Sequence, residues 1–257
     1  MILQKAIEVI ARTAGHTVTV KGLRELVGEM DDALTLELGG YDEKEFRKLA
    51  KDLLTLGHQH RRLLEGGELL NVDDLLGRRL PPGKARLAVI STQFLGDPGT
   101  VDFWVSQFLL AVDRWRAKNP APEGALQAVF LFDEADSYLP AQRQPATKGP
   151  MESLLKRARS AGLGLFLATQ SPGDLDYRCR DQVLTWLVGR VKEPVAIAKL
   201  KPMLDRRPEA ADKLAGQKAG QFYLVREADV TPITAVRNLI PTEQVPEDRI
   251  LTLARGG

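Results

Sequence analysis

The chain has 257 residues, 44% of them hydrophobic and 27% charged, which is enough for one large domain or two modest ones with a real core. Its 36 basic and 34 acidic side chains leave a net charge of +2, so overall charge announces no nucleic-acid binder and such a role needs a local patch. A single cysteine, Cys179, excludes an intrachain disulfide framework, no apolar run approaches the roughly 20 residues of a membrane helix, and Met1-Ile-Leu-Gln-Lys does not open a signal peptide; the composition reads as folded and cytoplasmic.

Residues 1–80 read as a helical domain. Ile7, Val9, Ile10 and Ala14 begin an apolar stripe, Leu23, Leu26 and Val27 repeat one, and Phe46, Leu49, Ala50, Leu53 and Leu54 form the clearest. Gly39-Gly40 and Gly66-Gly67 mark breaks, and Asp42 followed by Glu45 reads as a capped helix start. Twelve basic against 14 acidic side chains make this part mildly negative. A winged-helix-like module, with a hairpin over Leu63–Leu70, is one reading; the negative charge favours a protein-docking or ring-packing domain instead. Leu80-Pro81-Pro82-Gly83 cannot continue a helix and marks the boundary.

From 81 to 257 the rhythm changes. Apolar runs at Leu87–Ile90, Val129–Phe132, Leu163–Ala168 and Val183–Val188 alternate with helical patterns at about Val101–Ala117, Glu152–Ser160 and Ala196–Met203. Short unbroken apolar runs suit strands buried on both faces, and intervening helices suit parallel crossovers. Gln221–Val225 and Ile233–Val236 look like a closing strand pair. The expectation is an α/β sheet covered on both sides.

The strongest chemical signal is Ala128-Val129-Phe130-Leu131-Phe132-Asp133-Glu134-Ala135-Asp136. A buried strand runs into two carboxylates at its C-terminal edge, where ligands bind in open α/β sheets. This is a Walker B arrangement: Asp133 can hold the water shell of a nucleotide-bound Mg²⁺, and Glu134 can polarise an attacking water. About thirty residues on, a second run ends in Ala168-Thr169-Gln170, followed by Ser171-Pro172-Gly173-Asp174-Leu175-Asp176. In a parallel sheet Gln170 would lie beside the acids. A third run, Trp186-Leu187-Val188-Gly189, ends in Arg190.

These motifs, from about Leu126 to Val191, resemble the HerA/FtsK superfamily of DNA-pumping ATPases, and more closely its HerA-like branch. A looser likeness extends over the first 80 residues, through Gln59-His60-Arg61-Arg62-Leu63-Leu64 and Asp73-Asp74-Leu75-Leu76. The resemblance implies a RecA-like P-loop NTPase core, ATP and Mg²⁺, a homo-hexameric ring around double-stranded DNA, and a nuclease partner. It also implies that Asp133 serves the metal, Glu134 is the catalytic base and Gln170 senses the γ-phosphate. Arg159 and Arg190 are then candidates to reach a neighbouring subunit's nucleotide.

One part of such an enzyme is missing. Its phosphate cradle needs Gly-x-x-x-x-Gly-Lys-[Ser/Thr]. The one Gly-Lys pair, Gly83-Lys84, has Gly77 one place too early and Ala85 where the hydroxyl belongs. The expectation is therefore a RecA-like core incomplete at its N-terminal side, a piece of a longer protein or a natural P-loop-less relative that scaffolds an assembly. Such a polypeptide is expected to hydrolyse no ATP on its own.

The literal Asp-Glu-Ala-Asp also resembles a DEAD-box helicase, with Ala168-Thr169 near that family's second motif; Gln170-Ser171-Pro172 and the absent P-loop count against it. Arg143, Lys148, Lys156, Arg157 and Arg159 against Glu152 make a local excess of basic charge beside the predicted catalytic edge, either a solvated face or a contact to DNA phosphate. His58 and His60 sit two apart and His16 is isolated, so none reads as a metal ligand. Cys179 reads as a buried or idle thiol, and Trp104 and Trp115 as core on one helix.

Overall fold

In the computed structural model, residues 1–13, 18–40, 42–64, 70–122, 124–227, 229–236 and 242–254 are described. Residues Met1–Leu70 form one unit and Asn71–Gly257 a second, so Leu80-Pro81-Pro82-Gly83 lies inside the second.

The first unit is built of α1 (Ile2–Thr13), α2 (Val20–Gly28), α3 (Asp32–Leu38), α4 (Glu43–Gln59) and the short α5 (Arg61–Leu64). Side-chain oxygens satisfy N–H groups that a helix start leaves unpaired: Thr19 accepts from Gly22, Asp31 from Ala33, and Asp42 from Lys44 at 3.0 Å, the cap its sequence suggests. At the end of α3, Gly39 takes the left-handed conformation, φ 49°. Ala6, Val9, Ile10, Leu23, Val27, Leu34, Phe46 and Leu53 meet in one core. Ile7 is exposed, because Ile2, Ala6 and Val9 set the buried face of α1 and Ile7 falls off it. Ala14, His16 and the glycine pair of the suggested hairpin lie outside the described residues.

The second unit opens with α6 (Val72–Leu75), whose Val72 joins a core shared with α7 (Pro98–Lys118). The Trp115 indole Nε1–H donates to Asp73 Oδ1 at 2.8 Å, tying the two helices. Trp104 stacks on Phe108, so both tryptophans serve packing. Between these helices the run Leu87–Ile90 is not a strand, and Leu87 and Val89 are more than 80% exposed. An apolar run becomes a strand when a neighbouring edge takes up its N–H and C=O groups, and no described strand pairs with this one.

Then follow β1 (Ala128–Phe132), α8 (Ala135–Tyr138), α9 (Lys148–Arg157) and β2 (Leu163–Leu167). β1 and β2 pair in parallel, with Ala128 opposite Leu163 and Phe132 opposite Leu167. Just before β2, Gly162 takes φ 58°, and an added Cβ there would lie 2.0 Å from the Ala125 carbonyl oxygen, so only glycine fits. Phe130, Phe132, Leu163, Leu165 and Leu167 turn toward α7 and α9 and join the core of Leu109, Val112, Met151 and Leu154. Val129 and Leu131, opposite Gly164 and Phe166, form the other face, where Val129, Leu131 and Phe166 are each more than half exposed. Among the described residues, helices cover one face of this pair and not the other.

The chain continues through β3 (Thr185–Val188), α10 (Pro194–Leu200), α11 (Pro208–Lys213), β4 (Gln221–Arg226) and β5 (Asp229–Thr234). β3 joins β4 and β5 in an antiparallel sheet rather than extending the parallel pair, with Val188 opposite Tyr223. Leu200, Leu204, Ala210 and Leu214 fill the core under it. Tyr177 stacks on Trp186 and packs against both cores of the second unit. No described helix is long and apolar enough to cross a membrane.

Candidate nucleotide site

Parallel pairing sets the site. β1 and β2 end level, so residues just beyond Phe132 and Leu167 emerge side by side at the C-terminal edge. The ladder runs one step past the strands: the Ala168 N–H donates to the Phe132 carbonyl (2.9 Å) and the Ala135 N–H to the Ala168 carbonyl (2.8 Å). Between them the backbone turns at Glu134, which sits at φ 50°, ψ 48°, a left-handed conformation that costs a non-glycine residue about 1 kcal/mol or more. That turn aims the Glu134 side chain at the second loop. The Gln170 amide Nε2–H donates to Glu134 Oε1 at 2.7 Å, and Asp133 Oδ1 accepts the Glu134 N–H at 3.0 Å. Asp133, Glu134 and Gln170 are all exposed at this edge.

Two residues outside the expected set belong to the same seam. The Thr169 hydroxyl donates to Asp136 Oδ1, and the Ser171 N–H donates to the Thr169 hydroxyl oxygen at 2.9 Å. Asp136 is the last letter of Asp-Glu-Ala-Asp, and its place in the first turn of α8 was the available signal.

Beyond Ser171 the loop runs beside the segment after α8. The Ala141 N–H donates to the Asp174 carbonyl and the Asp176 N–H to the Leu139 carbonyl. Lys148, expected on a DNA-facing surface, instead lies 2% exposed, its ammonium 2.7 Å from Asp176 Oδ2 and 2.6 Å from the Pro140 carbonyl. An ammonium enclosed by these partners has no face to offer a phosphate. Arg178 closes on the same carboxylate from the solvent side. Its hydrogen bonds, and those of Lys148, hold Asp176 well below the ordinary carboxylate range against the opposing effect of burial.

The remaining cations are spread out. Met151, Leu154 and Ala158 face the core as their spacing suggests, leaving Lys156, Arg157 and Arg159 exposed. Arg159 lies in the 3₁₀ turn Ala158–Ala161 that leads into β2, at the N-terminal edge of the strands. Five residues of strand separate that edge from Glu134, roughly 16 Å. The excess of basic charge therefore straddles the sheet rather than sitting at the C-terminal edge with Asp133 and Glu134. Arg143 is exposed in the loop before α9, and Arg190 is exposed two residues beyond β3, in the antiparallel sheet.

Among the described residues no group of three or more His, Cys, Asp or Glu is arranged to hold a metal ion. Mg²⁺ needs no such cage when it keeps its waters and takes oxygens from nucleotide phosphates, so one carboxylate on an open edge fits that role.

No known family description and no curated protein matches the chain. Solved structures do. VirB4 of Thermoanaerobacter pseudethanolicus is similar over 92% of this chain and 63% of its own, with a TM-score of 0.59 at 16% identity. The genome packaging NTPase B204 from Sulfolobus turreted icosahedral virus 2, in complex with ATP-gammaS, is similar over 67% of this chain and 74% of its own, with a TM-score of 0.46 at 21% identity. B204 in complex with AMPPCP is similar over 53% of this chain and 63% of its own, with a TM-score of 0.42 at 22% identity. With a parallel strand pair, acids at its C-terminal edge and the likeness to VirB4, the chain has a RecA-like α/β fold similar to that of VirB4.

Proposed function

We propose that the chain supplies the Walker B and sensor part of a HerA/FtsK-like, ATP-driven DNA translocase. The observation that carries this reading is the Gln170–Glu134 hydrogen bond at the C-terminal edge of a parallel strand pair, which joins a carboxylate and an amide brought together from 36 residues apart. In this reading Asp133 holds the water shell of Mg²⁺ on ATP, Glu134 accepts the proton of the attacking water, and Gln170 orients that water and reads the γ-phosphate. Bound Mg²⁺ would neutralise charge that develops on the phosphates. Arg159, exposed at the opposite strand edge and so far from its own Glu134, is in this reading the candidate for a neighbouring subunit's nucleotide; Arg190 is the second candidate. Arg143, Lys156 and Arg157 remain candidates for DNA phosphate in a hexameric ring, with a nuclease as a further partner.

The absence of Gly-x-x-x-x-Gly-Lys-[Ser/Thr] among the 257 residues supports a second reading, a P-loop-less partner subunit. Both readings place the phosphate cradle on other polypeptide. The purified chain should then bind MgATP weakly and turn none over, and turnover that disappears in Glu134→Gln would contradict this. With a P-loop-bearing polypeptide joined or added, the translocase reading expects Glu134→Gln to abolish turnover; full activity in that variant would sink it. Duplex DNA affinity should fall steeply with salt, because phosphate contacts release counterions. Affinity that does not change with salt would remove the DNA role.

A further inference from the structure

We propose that Asp136 is a positioning residue, which by holding the Thr169 hydroxyl sets the turn that presents Gln170 to Glu134. Glu134 and Gln170 are both exposed, so packing does not fix two long, rotamer-rich side chains against each other. Their backbones must do so.

On one side, the Ala135 N–H is bound to the Ala168 carbonyl, anchoring the first residue after Glu134 to the second loop. On the other, Thr169 and Ser171 bracket Gln170: the Thr169 hydroxyl oxygen accepts the Ser171 N–H while its hydrogen goes to Asp136 Oδ1. The donation to Asp136 points the hydroxyl lone pairs back at the Ser171 N–H, so one carboxylate orders the whole three-residue turn. Asp136 is itself half-buried and held in α8 directly after the glutamate. The seam thus couples the two loops across 33 residues of sequence, with Glu134 and Gln170 hanging from it. Its catalytic meaning rests on the reading above; the geometry does not.

A test without nucleotide separates the two. In the full chain, the Gln170 side-chain amide resonance is compared before and after Glu134→Gln, first in the wild-type background and then in Thr169→Val, which removes the hydroxyl at constant shape. Glu134→Gln should displace that resonance clearly in the wild type, by less than half as much in Thr169→Val, and fully again in Thr169→Ser. Equal displacement in wild type and Thr169→Val overturns the proposal. If Thr169→Val does not fold, Asp136→Ala, which removes the acceptor of the Thr169 hydroxyl, takes its place, with a reduced displacement expected. Should that variant also not fold, the bond serves stability alone and the positioning role is refuted. A failed nucleotide experiment with an intact shift pattern would remove the ATPase reading and leave the seam standing.

Discussion

Glu134 holds a left-handed backbone conformation and accepts a hydrogen bond from Gln170, so the residue read as the base sits on the least favourable backbone of the site. The geometry gives a comparison that removes side-chain chemistry from both arms. Glu134→Gly and Glu134→Ala each delete the carboxylate, but only alanine retains the Cβ that disfavours positive φ. The glycine variant should be the more stable by about 1 kcal/mol, a melting-temperature gap of about 2–4 °C. Equal melting temperatures in differential scanning calorimetry would show that the turn carries no such strain.

The buried pair of Lys148 and Asp176 predicts an asymmetry. Removing the lysine leaves Asp176 with Arg178, whereas removing the aspartate leaves a buried ammonium facing only the Pro140 carbonyl. Asp176→Ala should therefore cost about 3–5 kcal/mol and Lys148→Met about 1–3 kcal/mol. Urea denaturation of both variants tests the order; an equal or larger loss in Lys148→Met would show that Arg178 does not hold the carboxylate.

Acid should abolish the same contribution. The Arg178 hydrogen bonds, aided by Lys148, place the folded carboxyl far below the ordinary value of 3.8. The unfolded chain then takes up this proton first. Stability from Asp176 is complete above about pH 5 and declines as pH falls toward the folded value. The stability gap between wild type and Asp176→Asn should narrow between pH 5 and pH 2, by about 1 kcal/mol or more, when urea midpoints are compared. A gap independent of pH would mean that Asp176 is not charged in the fold.

Much of the candidate site was legible because it depends on local rules. Short apolar runs, one of them holding Gly164, made the two parallel strands, and level pairing carried Glu134 and Gln170 to one edge. What escaped were facts set by distant partners. A lysine has the same letters whether it is solvated or sealed against an aspartate 28 residues away, so Lys148 read as surface. Leu87–Ile90 had a strand's composition, but no described strand pairs with it. Arg159 could have been placed from connectivity alone. A crossover joining parallel strands must return to their N-terminal edge, so a residue just before β2 lies away from the residues just after β1.

Cys179 offers a measure of how tightly the loop after β2 is held. Its thiol is 4% exposed, donates to the Asp176 carbonyl at 3.0 Å and is pushed up to about 11 by burial and, secondarily, by the Asp176 charge. Near pH 7.5 the thiolate is then roughly 300 times scarcer than for a free cysteine near 8.5. Alkylation of the folded chain should be at least about a hundredfold slower than in denaturant, and Asp176→Ala should recover part of the rate. Fast labelling of the native wild type would show that this loop opens readily.

The two faces of the parallel pair make a last, opposed prediction. Phe132 is 8% exposed, stacks on Phe130 and meets Tyr138 edge to face, inside the core of α7 and α9. Phe166, opposite Leu131, is 59% exposed on the open face. Truncation to alanine removes the same atoms at both positions, so the difference reports only what surrounds them. Phe132→Ala should cost about 3–5 kcal/mol through lost transfer energy and a residual cavity, and Phe166→Ala less than about 1 kcal/mol. Because side chains alternate along a strand, a register displaced by one residue would exchange those costs. Equal losses at the two positions in urea denaturation would mean that polypeptide or a second copy already covers the open face in solution.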